Sequence, residues 1–247
     1  MKRLLTTLSQ KWPEYLLEMI VITAGVLGAF ALNNWNEHRL ERQEEVKMLI
    51  SVKKDLENTI LEFEYLNGHR ENILQCTREL LKLSNTDDLQ NEVLDSLLAI
   101  TFNRPTFNNK QGAIDLLFTS GKINLVKNDA IREQLMAWPG TVEDVLEEEI
   151  YANNLFLGPY YETIAKYVMV QGLLNRSFST SFFGAVVGGQ NFPKSPLESD
   201  YQALFKDKNF MNHIRMRAGH MVITNKETVD LVDKAQGIIQ LIDSEIK

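Results

Sequence analysis

The sequence predicts an all-α protein in which one N-terminal transmembrane helix leads into a long helix and a helical bundle domain. Three observations support this prediction. A nearly uninterrupted apolar segment lies close to the N-terminus, a strongly charged segment with helical periodicity follows it, and no later region is rich in strand patterns. Only 13 Gly and 6 Pro occur in 247 residues, which leaves room for long helices.

Composition and charge exclude several classes of protein. The chain carries 26 Lys and Arg against 33 Asp and Glu, a net charge of −7, whereas a general nucleic-acid binder needs a basic surface that displaces counterions. The single cysteine, Cys76, can form neither an internal disulfide nor a cysteine-based zinc site. We therefore expect no nucleic-acid partner and no structural zinc.

The apolar segment determines the predicted division of the chain. Residues 15–32 (YLLEMIVITAGVLGAFAL) contain one ionisable residue, Glu18. In helical form they span about 27 Å, close to the hydrocarbon thickness of a bilayer. We predict a short basic head at 1–14, a transmembrane helix at 15–35 and a helical extramembrane domain at 36–247.

Two other interpretations of this segment stay open. The initial Met-Lys-Arg and the small-x-small pattern Ala29-Phe30-Ala31 are typical of a cleaved signal peptide. Against this, the apolar run is long and begins only after fourteen residues. The third interpretation is a buried core helix, although few soluble helices are apolar on every face over this length. We favour a single transmembrane span, because no later segment repeats the signal.

The predicted orientation rests on the head of the chain. Three basic residues lie before the span and three follow it within fifteen residues, so the positive-inside rule does not decide: Lys2, Arg3 and Lys11, then Arg39, Arg42 and Lys47. Short basic heads usually stay in the cytoplasm while the long remainder is exported. We therefore expect a bacterial inner-membrane protein whose large domain is periplasmic.

Aromatic and amide side chains flank the predicted span on both sides. Trp12 and Tyr15 lie at its start, and Asn33, Asn34 and Trp35 lie at its exit. Such side chains occur where a membrane helix crosses the headgroup region. We predict these five residues to be interfacial anchors in the lipid bilayer.

Small residues and one carboxyl form the predicted surface for membrane helix association. Ala24 and Gly28, and likewise Gly25 and Ala29, are small-xxx-small pairs, which permit close approach of two helices. Glu18 shares a helical face with Gly25 and Ala29. For Glu18 itself, a position at headgroup depth, a contact with a partner helix and an ion path are all open.

The segment after the span has the periodicity of one long amphipathic helix, from about Asn36 to Leu83. Such a stripe can bury inside a bundle or against another subunit in a coiled coil, and we favour the bundle. Alternating steps of three and four residues define ten positions, seven of them apolar: Leu49, Val52, Leu56, Thr59, Phe63, Leu66, Arg70, Ile73, Thr77 and Leu80.

Shorter helices follow. The Ser-, Gly- and Phe-rich stretch at 175–199 is predicted to be a long loop, apolar enough to contact lipid or a partner. Gly121 is expected to end a helix in the left-handed conformation. Breaks are expected at Pro139-Gly140 and at Gly158-Pro159. The predicted helices cover about 89–101, 111–120, 129–138, 141–174 and 200–242.

Two segments carry a family resemblance. The first is the membrane exit, Asn33-Asn34-Trp35-Asn36-Glu37 followed by Arg39. The second is an internal block, Ser120-Gly121-Lys122 with Leu125, Asn128 and Ile131-Arg132. Together they resemble the uncharacterised Bacteroidota membrane proteins grouped as domain of unknown function 6090. The loop after Asn175 departs from that pattern. The resemblance implies a single-pass membrane protein with a helical extramembrane domain, and it implies no activity.

No residue pattern predicts catalysis or cofactor binding. His213 and His220 are seven residues apart, whereas a zinc-binding helix uses i and i+4, and no glycine-rich phosphate loop occurs. Cys76 lies among apolar residues and is interpreted as a core thiol. The acidic run at 143–149 and the basic patch at 215–220 are interpreted as solvated helical faces. We therefore predict no cofactor, no metal and no enzyme.

The expected function is non-enzymatic. We expect a helical domain, anchored in the bilayer at the cell envelope, that associates with itself as a homo-oligomer or binds an unidentified envelope protein. The alternative is a sensor or signalling subunit that binds a small ligand in its helical domain and couples through the membrane helix to a partner. A channel or transporter accessory built from oligomerised spans, and an enzyme of unrecognised type, are further alternatives.

Overall fold

The computed structural model describes residues 2–86, 90–108, 110–180, 193 and 195–246, with the side chains of 2–11 and 176–180 outside the description. Within these ranges every regular element is helical. The all-α prediction is therefore confirmed for the described part of the chain.

The first helix, α1 (Lys2–Leu83), is continuous over 82 residues. At 1.5 Å per residue it is about 120 Å long. It contains both the predicted span and the predicted amphipathic helix, and it ends at the predicted residue, Leu83. Because no break separates the two parts, the membrane boundaries at residues 15 and 35 stay predictions.

Shorter elements follow α1, and three of them begin with a side-chain cap. Asn128, Asp200 and Asp207 each accept hydrogen bonds from backbone N–H groups of the first turn, which that turn cannot satisfy internally. The elements are α2 (Asn91–Thr101), α3 (Gly112–Thr119), a 3₁₀ turn (Lys122–Leu125), α4 (Asp129–Leu155), a π-helical turn (Phe156–Tyr160), α5 (Tyr161–Ala165), α6 (Val170–Thr180), α7 (Tyr201–Lys206) and α8 (Lys208–Glu245).

Three long helices form the frame of the domain, and α8 is central among them. It packs against α1 along most of its length and against α4 on another side. Contacts between α1 and α8 step in opposite directions, from Lys53 with Asp243 to Arg70 with Thr228, so the two helices are antiparallel. The short helix α3 packs on α1, and α2 packs on both α1 and α6.

The predicted stripe of α1 is the face that this frame buries. All ten predicted positions are buried, including the polar Thr59, Arg70 and Thr77. They pack against residues of the same chain, so the bundle interpretation of the stripe is confirmed and no coiled-coil partner is required to cover it. Burial of this face, rather than helix propensity, is the main source of stability for such a helix.

Two large apolar cores lie one after the other along α1, and a smaller third cluster joins residues 73–74 of α1 to Met221 of α8. The first, nearer the predicted membrane exit, joins residues 49–66 of α1 to α3, α4 and the C-terminal half of α8. The second joins the end of α1 to α2, the π-helical turn, α5, α6, α7 and the start of α8. Polar side chains are buried between them. We call Arg70, Glu149, Arg217 and Thr228 the polar layer.

The predicted break at Pro139-Gly140 is wrong, because α4 runs through both residues. A proline inside a helix removes one hydrogen bond and costs about 3 kcal/mol. The buried face of α4 keeps its helical phase on both sides of the proline, however, with Leu135 and Trp138 before it and Val142 after it. Packing of this continuous face offsets the local cost, while the proline ring itself is exposed.

The region around Gly158-Pro159 differs from a simple break. The helix widens into the π-helical turn there, and the chain leaves the helix only at residues 166–169. The helix α6 then extends to Thr180, five residues past the predicted start of the loop at 175. Residues 181–192 and 194 of that predicted loop lie outside the described residues.

Alanine substitution of two glycines tests the backbone conformation at these positions. Gly140→Ala is expected to stabilise the domain by about 1 kcal/mol, because the position is helical and a Cβ atom there meets no neighbour. Gly121→Ala is expected to destabilise it by about 1 kcal/mol, since Gly121 has φ +69°. Urea unfolding of both variants followed by circular dichroism measures the difference. Equal effects of the two substitutions would contradict the helical conformation of Gly140 and the left-handed conformation of Gly121.

Candidate membrane anchor and buried polar layer

The N-terminal part of α1 extends from the domain as an exposed apolar helix. Its 18-residue window has a mean hydropathy of 2.0, and none of that window is buried. By length and composition it is the one helix of the described residues that could cross a membrane. Residues 12–40 are exposed, and no other described element covers them, so within the described part of the chain this segment is not a core helix. A membrane span and a signal sequence are the interpretations left.

The predicted helix-association residues all lie on this exposed segment. The helix is regular through them, so the face shared by Glu18, Gly25 and Ala29 is retained. A Cβ atom added at Gly25 or Gly28 would meet nothing within 4 Å. No described residue of this chain therefore occupies the small-residue surface formed with Ala24, and the role of the five residues stays a prediction.

The predicted interfacial residues are also exposed, and two of them have local partners. The Asn33 amide donates to the Glu37 carboxylate at 2.8 Å, one turn further along the helix. The Arg39 guanidinium lies over the Trp35 ring, 5.8 Å from its centroid. These contacts support a helix that continues beyond the predicted exit. The other three predicted interfacial residues, Trp12, Tyr15 and Asn34, are exposed on the same helix.

A group of polar contacts ties α1 to the domain shortly after the exit, and we call it the membrane-proximal clamp (Arg42, Glu45, Lys127, Asn128 and Glu245). Arg42 donates to the Glu45 carboxylate at 2.7 Å. It also contacts Glu245 twice, donating to the backbone carbonyl of Glu245 at 2.7 Å and pairing with the Glu245 carboxylate at 2.9 Å. The Lys127 N–H donates to Glu45 at 2.7 Å. The clamp therefore joins α1, the start of α4 and the end of α8.

The charges of the clamp are mutually stabilised. Hydrogen bonding from the Asn128 amide, at 3.0 Å, lowers the pKa of Glu245, and the Arg42 guanidinium lowers it further. The carboxylate of Glu45 is completely buried and accepts bonds at both oxygens. Arg42 lies seven positions after Trp35 on the helix, which is about 10 Å. The exposed apolar helix is thus firmly joined to the domain close to the predicted exit.

The polar layer contains a buried ion pair. Arg70 on α1 donates through Nη2 to Oε1 of Glu149 on α4, and through Nη1 to Thr228 on α8 at 2.7 Å. The other Glu149 oxygen accepts the Phe107 N–H at 2.9 Å. Burial raises the pKa of Glu149 and lowers that of Arg70, with their mutual attraction acting in the opposite direction. Loss of hydration therefore outweighs the attraction within the pair.

The position of Glu149 corrects the interpretation of the acidic run as a solvated face. Glu149 is buried, whereas Glu143, Asp144 and Glu147 of the same run are exposed. A sequence signal for this existed, because Glu149 continues the helical spacing of Val142 and Val145 on the buried face of α4. The periodicity could have identified it, although not its partner.

The basic patch at 215–220 was also wrongly interpreted as solvated. Arg217 is only 2% exposed, and it donates through Nη2 to the Asn103 carbonyl at 2.6 Å. His220 is buried as well, and its ring lies 5.1 Å from that of Tyr151. Burial lowers the pKa of His220. Only Arg215 of the three basic side chains is exposed, again in accord with helical phase along α8.

The remaining candidate residues form no reactive arrangement in the described part of the chain. Cys76 is buried, and burial raises the pKa of its thiol, as expected for a core thiol. His213 contacts the Thr163 hydroxyl at 3.4 Å. Within the described residues, no three His, Cys, Asp or Glu side chains are grouped so that they could hold a metal ion.

A small cavity lies beside the polar layer, between Arg70 and Arg217. Its free volume is about 10 Å³, which is room for about one water-sized species. An organic ligand of the kind expected for the sensor alternative needs a pocket of roughly 300 Å³ or more. This cavity therefore gives no support to that alternative.

The comparisons with known proteins add no family. No family model, curated protein or solved structure matches the chain. The resemblance at the membrane exit and at residues 120–132 stays a prediction that rests on those residues alone.

Proposed function

We propose that this chain is a membrane-anchored, non-enzymatic helical domain that assembles with further copies of itself, or with an envelope protein, at the surface of a bilayer. The observation that carries the proposal is the exposed apolar segment of α1, which is continuous with the helix that supplies the central stripe of the domain core. One helix would thus serve as both anchor and scaffold.

The proposed mechanism is positional. The membrane-proximal clamp would hold the domain about 10 Å from the exit at Trp35, and the continuous helix would carry its far end about 60 Å further, from Arg42 to Leu83. A stiff connection of this kind presents the domain surface at a defined height and orientation. Partners bound there would be restricted to the layer next to the membrane.

Self-association is proposed to use the small-residue face of the span. The two small-xxx-small pairs permit close helix approach, and no described residue of this chain fills the space at Gly25 and Gly28. We propose further that the membrane is the bacterial inner membrane and that the domain is on its periplasmic side, in keeping with the basic residues Lys2, Arg3 and Lys11 before the span.

Cysteine labelling tests the anchoring and its direction. Leu61 is 64% exposed on α1, so Leu61→Cys in a Cys76→Ser background places one accessible thiol on the domain. We expect the protein to resist alkaline extraction and to react with a membrane-impermeant maleimide in cells whose outer membrane is permeabilised. Wild-type protein, with only the buried Cys76, is the control. A protein that is soluble after fractionation would refute the anchoring, and labelling only after inner-membrane lysis would reverse the direction.

Substitution of the small residues tests self-association. Gly25→Leu with Ala29→Leu is expected to convert the oligomer to a monomer in mild detergent, since bulky side chains prevent close helix approach. The monomer should tolerate the change, because a Cβ at Gly25 meets no neighbour. Thr23→Leu with Phe30→Leu, which places leucines on the opposite face of the same helix, is the matched control. An unchanged mass by light scattering would remove this face from the proposal.

A second function, the signalling subunit, is favoured by one observation. Because α1 is unbroken from the clamp to the predicted head, a tilt or rotation of the domain would be transmitted to the span. This candidate couples the helical domain through the membrane helix to a partner. Thermal stabilisation of the full chain by a small molecule would support it.

A further inference from the structure

Arg217 is the buried charge that this fold leaves without a counter-charge. Its guanidinium is 2% exposed, donates to the Asn103 carbonyl and lies 5.2 Å from the centroid of the Phe156 ring. Its Nε–H has no hydrogen-bond partner. In the described part of the chain no carboxylate lies within 4 Å of it, in contrast to Arg70, which pairs with Glu149.

An unpaired buried cation is costly, so it requires an explanation. Removing a guanidinium from water is compensated only when an opposite charge and hydrogen bonds replace its hydration. Burial lowers the pKa of Arg217 to about 10, so the side chain remains charged at neutral pH. Neutralisation by loss of a proton therefore does not remove the cost, and the aromatic ring and one carbonyl compensate only part of it.

The small cavity beside Arg217 is where a counter-charge fits. Its lining includes both buried arginines, Asn153, Glu149 and the apolar Pro105 and Met221. The charge of Glu149 is already engaged, because its oxygens accept from Arg70 and from the Phe107 N–H. Arg104, the neighbour of Asn103 in the chain, adds positive potential, which also lowers the pKa of Arg217. The lining thus contains two guanidinium groups and a single carboxylate, which is already engaged.

We propose that this cavity binds a monatomic anion of the halide class. The Nε–H of Arg217 would donate a hydrogen bond to the anion, and the positive potential of Arg70 and Arg104 would stabilise its charge. A water molecule would fill the same space, but it supplies no charge to balance the buried cation. Among common anions a halide is the nearest in size to a water molecule, so it needs the least adjustment of the lining, whereas the larger sulfate and phosphate do not fit a cavity of about 10 Å³. The anion would stabilise the contact between α1, α4 and α8 at the junction of the two cores.

Thermal unfolding of the full-length protein in mild detergent tests the proposal. Sodium chloride and sodium gluconate are compared at equal ionic strength, so that general screening is constant. Chloride, and likewise bromide, is expected to raise the midpoint of wild-type protein by about 2–4 °C with saturation. Arg217→Met is expected to lose this shift. Arg215→Met, two residues away on the exposed side of α8, should retain it.

The outcomes separate a bound anion from a bound water. Equal midpoints in chloride and gluconate, or a chloride shift that persists in Arg217→Met, would overturn the proposal. Should Arg217→Met fail to fold, crystals of wild-type protein grown in sodium bromide decide the question. Anomalous density within hydrogen-bonding distance of Arg217 Nε is expected, and its absence from the cavity would also refute the site. Sulfate that produced the same shift as chloride would contradict the size argument.

Discussion

Glu149→Leu is expected to destabilise the domain by about 3–5 kcal/mol, the largest effect of any single substitution that we predict. The change removes the carboxylate from a buried ion pair and leaves the Arg70 guanidinium charged and buried. It also removes the acceptor of the Phe107 N–H. Urea unfolding of the full-length protein in mild detergent, followed by circular dichroism, measures the change in the free energy of unfolding.

A double variant distinguishes the loss of an attraction from the penalty of an unpaired charge. Burial shifts both pKa values of the pair towards the neutral forms, so the pair itself contributes little net stability. Arg70→Met with Glu149→Leu is therefore expected to recover most of the loss, leaving about 1–2 kcal/mol for the unsatisfied Phe107 N–H. Glu147→Leu, an exposed neighbour, should change stability by less than about 0.5 kcal/mol. A double variant no more stable than Glu149→Leu alone would show that this explanation is wrong.

Two lysines in the middle of the apolar segment are expected to release the protein from the membrane. Ile22 and Val26 are exposed, one helical turn apart and central in the predicted span. Each lysine at the centre of a span costs about 2.5–3.5 kcal/mol, so Ile22→Lys with Val26→Lys costs about 5–7 kcal/mol. We expect the variant to be lost from the membrane fraction after alkaline extraction, as measured by immunoblotting of the separated fractions.

The matched control places the same charges on the same helix outside the predicted span. Ile50→Lys with Leu61→Lys substitutes residues that are similarly exposed on the domain part of α1. This variant is expected to stay in the membrane fraction. Retention of both variants would contradict the anchoring by the apolar segment and would point instead to contacts between the domain and lipid.

The polar layer shows why part of the site could not be predicted from the sequence. Helical phase placed Arg70 on the central stripe, and the same phase would have placed Glu149 and Arg217 on buried faces. What a charged residue meets there depends on side chains that lie far away in the chain, such as Glu149 and Thr228 around Arg70. Runs of like charge were therefore interpreted as solvated surface, which is correct for their exposed members only.

The sequence by itself determined the features that depend on neighbouring residues. The all-α class, the exposed apolar segment, the ten-position stripe, the end of α1 at Leu83 and the left-handed turn at Gly121 all follow from spacing, composition or the freedom of one glycine. The helical phase of an apolar face is a local property, because it is set by 3.6 residues per turn.

Only the tertiary structure decided the features that arise from packing between distant segments. It carries α4 through Pro139, because a face buried on both sides of the proline outweighs the lost hydrogen bond. It pairs Arg70 with Glu149 and leaves Arg217 beside a cavity, because burial removes water and makes distant side chains the partners that remain.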